Sequence, residues 1–341
     1  MKLLSTNDKI FFFERNFFTL DGLWMIKTEE ETNWETALNI DLIVWKKLLK
    51  IIFQRLKEYL DIQSNNLIDF IKILTFRWSV EGWDYEILFP NKSQIEIIIK
   101  NCPYYAAMDR NPDRHEKIPL ICRNVCIPLY ESLVVGFSKD IKISRRKFKG
   151  LGDHNCNFIL EQIDYSMPSR IILQKALNKA VDRKGKLFYF EKNFRTLDGL
   201  WIVEVENKLN FAIALKLDIV VWKELYEIIF RRVSKYLNIR GHSLKDLTQI
   251  LSFIWNCEGI SYEIIEKDER EIIINVKQCP YLEAMQRNPE RQDNIVSVCK
   301  DICFSYLEPV IQNFNPKIIL KRTKSKGTGD HICDFRFKLN E

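Results

Sequence analysis

The sequence predicts an α+β protein made of two tandem copies of one unit, each a helical segment plus an antiparallel four-stranded sheet with packed helices. The first observation behind this is a repeat. Phe13-Glu14-Arg15-Asn16-Phe17 returns as Phe190-Glu191-Lys192-Asn193-Phe194, and Thr19-Leu20-Asp21-Gly22-Leu23-Trp24 returns unchanged as Thr196-Leu197-Asp198-Gly199-Leu200-Trp201. Gly152-Asp153-His154 returns as Gly329-Asp330-His331, and every pair sits at the same 177-position offset. The copies run without a gap over 11–164 and 188–341, with about four positions in ten identical. The second observation is that the apolar period changes within each copy, from helical spacing to strict alternation. The third is size: 341 residues exceed one usual core, and two units of about 155 residues fit the usual domain range.

Within each copy the elements follow in order. The first third reads as helix, with Asp21-Gly22 and Asp198-Gly199 as a turn between helices. From Asp41 to Leu60, Leu42, Trp45, Leu48, Leu49, Ile52 and Phe53 form one helical stripe, and the counterpart runs from Asp218 to Leu237. A further helix covers 66–78 and 243–255. Tyr85–Leu88 and Gln94–Lys100 then alternate as two strands joined at Pro90-Asn91-Lys92. After Cys102-Pro103-Tyr104, a helix is predicted over 116–136, and strands over 141–148 and 154–162. These boundaries give a first repeat domain over 1–164, a helical linker over 165–187 and a second repeat domain over 188–341. In the linker, Ser169 through Ala180 has helical spacing, and Gly185 would stop that helix. Two units carrying the same sheet are expected to pack as an intramolecular pseudo-dimer, like a fused homodimer.

Composition narrows the function. Hydrophobic residues make up 46% of the chain, with 22 Phe and 8 Trp, which supports real cores and excludes wholesale disorder. Only 11 Gly and 10 Pro argue against a turn-rich all-β protein. The net charge of +6 comes from interspersed charges, densest at Arg145–Lys149 and Lys321–Lys326. With no nucleic-acid motif beside them, a solvated strand or hairpin face is favoured over phosphate contacts, and nucleic acid is not expected as a partner. No unbroken apolar run reaches 18 residues and Met1–Lys9 lacks a leader pattern, so the expectation is a cytoplasmic protein without a membrane partner. In that reducing setting nine cysteines read as thiols or metal ligands.

Eight of those cysteines form equivalent pairs: Cys102 and Cys279, Cys122 and Cys299, Cys126 and Cys303, Cys156 and Cys333. Only His154 and His331 are equivalent among the histidines. Cys122 and Cys126 are four apart on a helix and share a face, as do Cys303 and Cys299. His154 and Cys156, two apart on a predicted strand, share a face as well. Cys102 stands where a strand ends. Three elements could thus converge five ligands per copy, of which zinc would take four; an iron centre is also chemically possible. Two other readings stand beside this. Cysteine is a small residue that often simply packs in a core. It can also act as a nucleophile, with His154 or His331 lowering its pKa and Asp153 or Asp330 orienting that histidine. The aspartates equally suit a turn.

Arg110-Asn111-Pro112 with Arg114 and Arg287-Asn288-Pro289 with Arg291 recur. Arg287 and Arg291 are candidates for gripping a substrate carboxylate, against the alternative of a surface loop. Trp24, Trp45, Trp78, Trp201, Trp222 and Trp255 read as core rather than as a ligand box.

The end of the second copy carries a family resemblance. Phe314-Asn315-Pro316-Lys317-Ile318, Lys321-Arg322-Thr323 and Gly329-Asp330-His331-Ile332-Cys333-Asp334-Phe335-Arg336-Phe337 look like the closing signature of the L-2-amino-thiazoline-4-carboxylic acid hydrolase family. Cys279-Pro280-Tyr281 and Cys299-Lys300-Asp301 resemble its cysteine positions. Asp21-Gly22-Leu23-Trp24 and its copy resemble a wider set of uncharacterised prokaryotic proteins. The resemblance implies hydrolysis of a carbon–nitrogen bond in a small cyclic amidine or amide substrate, with Cys299, Asp301, His331 and Cys333 as catalytic candidates beside Cys279. Copy one departs from the pattern, with Asn124, Arg146 and Asn157 where copy two has Asp301, Thr323 and Asp334. A looser similarity to vinyl-reductase-type domains implies the alternative, a non-catalytic sensor or scaffold that binds a small molecule or metal.

Overall fold

Phe13, Phe17, Leu20 and Trp24 recur every three or four residues and are buried along one face of helix α1 (Thr6–Glu31). A capping box starts the helix: the Asp8 N–H donates to the Ser5 hydroxyl and the Ser5 N–H to the Asp8 carboxylate. The expected Asp-Gly turn does not form. Asp21-Gly22 lies inside α1, and Asp198-Gly199 inside the equivalent helix α7 (Arg183–Lys208). The apolar stripe overrides the local signal, because ending the helix there would unseat Trp24 or Trp201, both fully buried, whereas an internal glycine costs about 1 kcal/mol.

The computed structural model describes residues 4–91, 93–163, 177 and 181–340. The helix predicted over Ser169–Ala180 lies outside these residues, apart from Leu177. In copy one, α2 (Trp34–Tyr59) and α3 (Leu67–Glu81) follow, then β1 (Asp84–Leu88), β2 (Gln94–Asn101) and α4 (Pro103–Asp109). The long helix comes next as α5 (Ile118–Ile121), a π turn at Cys122–Cys126 and α6 (Ile127–Phe137), before β3 (Ile141–Ser144) and β4 (Cys156–Gln162). Copy two repeats the order with α8 (Phe211–Tyr236), α9 (Leu244–Glu258), β5 (Ser261–Asp268), β6 (Glu271–Gln278), α10 (Pro280–Arg287), α11 (Ile295–Ser297), a π turn at Val298–Ile302, α12 (Cys303–Phe314), β7 (Ile318–Arg322) and β8 (Cys333–Leu339).

Each sheet is antiparallel, in the order β1-β2-β4-β3 or β5-β6-β8-β7. Ile95, Ile97 and Ile99 pair with Leu160, Phe158 and Cys156, so the strand period puts Cys156 on the same face as the buried Phe158. Trp78 of α3 packs on Phe158 with ring centroids 5.2 Å apart. All six tryptophans read as core are buried.

The compact units do not follow the repeat boundaries. One comprises residues 1–33 with 202–341, the other residues 34–201. In the first, α1 packs along α8 and α9. In the second, the start of α7 takes the equivalent place against copy one. One contact is written twice. Arg55 donates to the Lys192 carbonyl, Asn193 and Thr196 at 3.0, 2.8 and 3.0 Å. Arg232 donates to the Arg15 carbonyl, Asn16 and Thr19 at 3.2, 2.9 and 2.9 Å. Each unit is therefore completed by the first helix of the other copy.

Among the described residues one helical stretch, Pro112–Phe137, is long and apolar enough on average to cross a membrane, although no unbroken apolar run in it reaches 18 residues. Within it, α6 packs on α2 and β3, and about a third of the apolar stretch is buried.

Candidate functional site: two cysteine quartets

Three separate pieces of copy one deliver four cysteines to one cavity. Cys102 follows β2 and precedes Pro103, which opens α4 without needing a backbone donor. Cys122 and Cys126 bracket the π turn, a local widening that often accompanies function. Cys156 begins β4 on the core face. All four line a cavity of about 30 Å³ with Trp83, Tyr105, Phe148 and Arg145. The loop from β3 to β4 closes it: a Cβ on Gly150 would fall 2.2 Å from the Cys122 sulfur, so any larger residue there must displace that thiol. The Lys149 N–H donates to Cys156 Sγ at 3.1 Å and Arg145 Nη1 to Cys126 Sγ at 3.1 Å.

Copy two rebuilds the arrangement. A Cβ on Gly327 would meet Cys299 Cβ at 2.3 Å, and the Lys326 N–H donates to Cys333 Sγ at 3.2 Å. Cys279, Cys299, Cys303 and Cys333 are near enough to perturb one another electrostatically. Burial, then the neighbouring thiols, push Cys122 and Cys299 up to about 12. Burial also raises Cys102, Cys156, Cys279 and Cys303. These six thiols are protonated at neutral pH when nothing is bound to them. All nine cysteines are free.

The other predicted residues are placed differently. His154 and His331 precede their strands and are exposed, so the expected shared face with Cys156 or Cys333 does not arise. Asp153 accepts from the Phe148 N–H at 2.7 Å and Asp330 from the Ser325 N–H at 2.8 Å, closing the loop as turn aspartates do. Asp301 follows Cys299 by two positions on the π turn, a spacing that turns the side chains apart. Arg287 is exposed at the end of α10, and Arg291 is ion-paired with Glu206. Arg114 lies over the Trp34 ring.

Arg145 belongs to a basic run whose charge predicts a solvated face, yet it turns inward. Its guanidinium carbon sits 4.1 Å from the Phe158 ring centroid and 4.5 Å from that of Phe148. The available signal was that Arg145 and Gly150 recur as Arg322 and Gly327. In copy two Arg322 lies over the equivalent Phe335 ring at 5.8 Å and donates to the carbonyls of Cys299 and Lys300, at 2.8 and 3.0 Å. Position 157 was likewise noted only as a departure. Asn157 Oδ1 accepts from the Arg146 and Lys147 N–H groups, both at 2.9 Å, and its Nδ2 donates to Glu96 at 2.9 Å. Asp334 accepts from the equivalent Thr323 and Lys324 N–H groups, from the Thr323 hydroxyl and from Arg336. Both side chains clamp the loop over the quartet.

Four half-buried thiols without a histidine base beside them have a donor set closer to that of a soft-cation centre than to that of an activated nucleophile. The donor set suits zinc by type and number. As placed, the sulfurs have not closed on a common point: among the described residues no three His, Cys, Asp or Glu side chains form a metal-holding group. Residues 220–337, which contain the whole second quartet, match the family model of L-2-amino-thiazoline-4-carboxylic acid hydrolase. Residues 4–143, with Cys102, Cys122 and Cys126, match a family of unknown function (DUF6125). The chain thus resembles both, in agreement with its closing signature. No curated protein and no solved structure matches it.

Proposed function

We propose that each quartet is a binding centre for a soft cation, zinc first, and that the second copy is a hydrolase acting on a carbon–nitrogen bond of a small cyclic amidine or amide. The observation that carries the centre is the convergence of Cys102, Cys122, Cys126 and Cys156 on one cavity, from elements up to about a third of a repeat apart. Bound there by all four sulfurs, zinc would hold them as thiolates in a closed site; Lewis acidity toward a substrate would need one of the four positions left open. The chain's own part is to orient them. The Lys149 and Lys326 N–H groups each fix one sulfur, and in copy one Arg145 offsets sulfur charge. The hydrolytic half of the proposal rests on the match over 220–337. It takes Cys299 and Cys333 as the centre of the site and gives no proton-carrying role to Asp301, which is turned from Cys299, or to His331, which is exposed ahead of its strand. A reducing compartment such as the cytoplasm suits nine free thiols.

Metal analysis of protein purified without chelator tests the centre. One equivalent of metal per copy is expected, and Cys122→Ser or Cys299→Ser should each remove one. Metal-free protein from chelator-free buffers, still metal-free after zinc is supplied, would overturn it. Turnover of 2-aminothiazoline-4-carboxylate by reduced, zinc-supplied protein tests the hydrolase. For copy one a second reading is favoured by the cavity itself: about 30 Å³ holds one water or an ion, not a heterocycle, so this copy serves as a non-catalytic binding module.

A further inference from the structure

The loop over the quartet differs between the copies at one position that points to a ligand. In copy one Phe148 lines the cavity. Its equivalent is Ser325. The backbone is the same at both, φ −139° and ψ 103° at Phe148 against φ −139° and ψ 126° at Ser325. The same hydrogen bond to a turn aspartate anchors both. The Cβ therefore leaves the chain in the same direction, and the Ser325 side chain is aimed at the space that a phenyl ring fills in copy one.

Ser325 is 7% exposed, and among the described residues its hydroxyl is buried with no hydrogen-bond partner. Arg145, which stacks on both Phe148 and Phe158 in copy one, corresponds to Arg322, which lies over the Phe335 ring at 5.8 Å and donates to the carbonyls of Cys299 and Lys300. On either side of the loop, Lys326 N holds Cys333 and Gly327 lies against Cys299. Buried hydroxyls in native proteins are almost always paired. A ring exchanged for an unpaired hydroxyl beside two site cysteines fits a binding role better than a packing role, because packing alone would favour the ring or an alanine.

We infer that Ser325 is the ligand-positioning hydroxyl of the second copy. It would take the polar edge of a small planar molecule, an amidine, amide or carboxylate, laid beside Cys299 and Cys333. This deepens the proposed hydrolase and rests on that reading for its ligand class. The loop of copy one, closed by Phe148, would not take such a molecule.

The test uses full-length Ser325→Ala, Ser325→Thr and Ser325→Phe, with 2-aminothiazoline-4-carboxylate as the probe, in turnover and in thermal-shift titration. For Ser325→Ala, KM or the probe dissociation constant should rise about tenfold, the worth of one hydrogen bond, with kcat within about threefold of the unsubstituted chain. Ser325→Thr should recover most of the affinity and Ser325→Phe should abolish binding. In the absence of probe, Ser325→Ala should melt no lower than the unsubstituted protein; a lower melting point would mean a structural hydroxyl and overturn the inference. If the unsubstituted chain turns the probe over and Ser325→Ala does so with unchanged KM, the inference fails and the hydrolase stands. If the probe binds through Ser325 without turnover, the inference stands and the hydrolase fails. No binding at all overturns both.

Discussion

In copy one a buried carboxylate at the end of α3 is met by an arginine; in copy two the same carboxylate at the end of α9 is met by a tyrosine. Arg77 Nε donates to Glu81 at 2.9 Å with both side chains almost wholly buried, and Trp83 and Tyr189 donate to the same carboxylate. Arg77 also reaches the Tyr130 hydroxyl at 3.2 Å. In copy two Ile254 replaces Arg77 and Leu307 replaces Tyr130, and the Tyr226 hydroxyl donates to Glu258 at 3.1 Å. Burial and the nearby Glu258 carboxylate hold Tyr226 in its protonated form. The loop clamps differ in the same way: Asn157 leans on Glu96, Asp334 on Arg336. What the two copies share is backbone and thiols. What they do not share is how each buried charge is answered, and each answer is assembled from several positions at once.

That comparison can be broken where a single residue is carried across without its companions. The largest effect is expected for Arg77→Ile, which installs the copy-two residue and leaves Glu81 buried without its cation. The loss should be about 3–5 kcal/mol by urea unfolding. A loss under about 1 kcal/mol would show that the tyrosine and tryptophan donors suffice. Exchange of the clamps comes next. Asn157→Asp places a carboxylate where an amide now donates to Glu96, and should cost about 2–3 kcal/mol. Asp334→Asn keeps the loop N–H bonds but weakens those to Thr323 and Arg336, for about 1–2 kcal/mol. Equal costs would mean that Glu96 and Arg336 play no part.

The two loop glycines sharpen the comparison further. A Cβ at Gly150 meets the Cys122 sulfur, which rotation could move. At Gly327 it meets the Cys299 Cβ, which rotation cannot move. Gly327→Ala should therefore cost more than Gly150→Ala, within the roughly 1–3 kcal/mol typical of overpacking. The smallest effect lies at alkaline pH. Tyr236 stacks on Phe11 and donates to Asp8 at 2.7 Å, and the Asp8 bond, then burial, push it up to about 12. Its counterpart Tyr59 stacks on Phe188, with Gly185 where Asp8 would correspond. A raised folded pKa means that the unfolded chain loses this proton first. The stabilisation is complete below about pH 10 and is lost as pH rises through 12. Tyr236→Phe should flatten this part of an alkaline unfolding profile more than Tyr59→Phe does. Equal slopes for the two variants would remove the role of Asp8.

Most of the fold was legible because strand alternation and helical stripes are local. β2, β4 and their copies fall within two residues of their expected places, and the cysteine equivalences followed from the offset alone. Asp21-Gly22 misled because a turn signal was weighed without knowing that Trp24 would be fully buried. His154 misled because the strand was extended two residues too early, to a residue that sits in the preceding turn. Arg145 was hidden by its charged neighbours: Arg146 and Lys147 are exposed, and nothing in a basic run says which member turns inward to stack on Phe158. The exchange of α1 and α7 was illegible, since gapless copies look the same whether each helix packs on its own copy or on the other.

That exchange sets an order of assembly. Residues 34–201 form a continuous stretch that can close as soon as it leaves the ribosome, whereas α1 must wait for α8. Roughly 200 residues separate Glu31 from Tyr236, which at 5–20 residues per second is about 10–40 s of synthesis. Through that interval Phe12, Phe13, Phe17, Leu20 and Trp24 have no partner surface yet made for them. Of the helices in its unit, α1 is thus made well ahead of the surface that receives it, and until then the nascent chain carries a sticky apolar stripe.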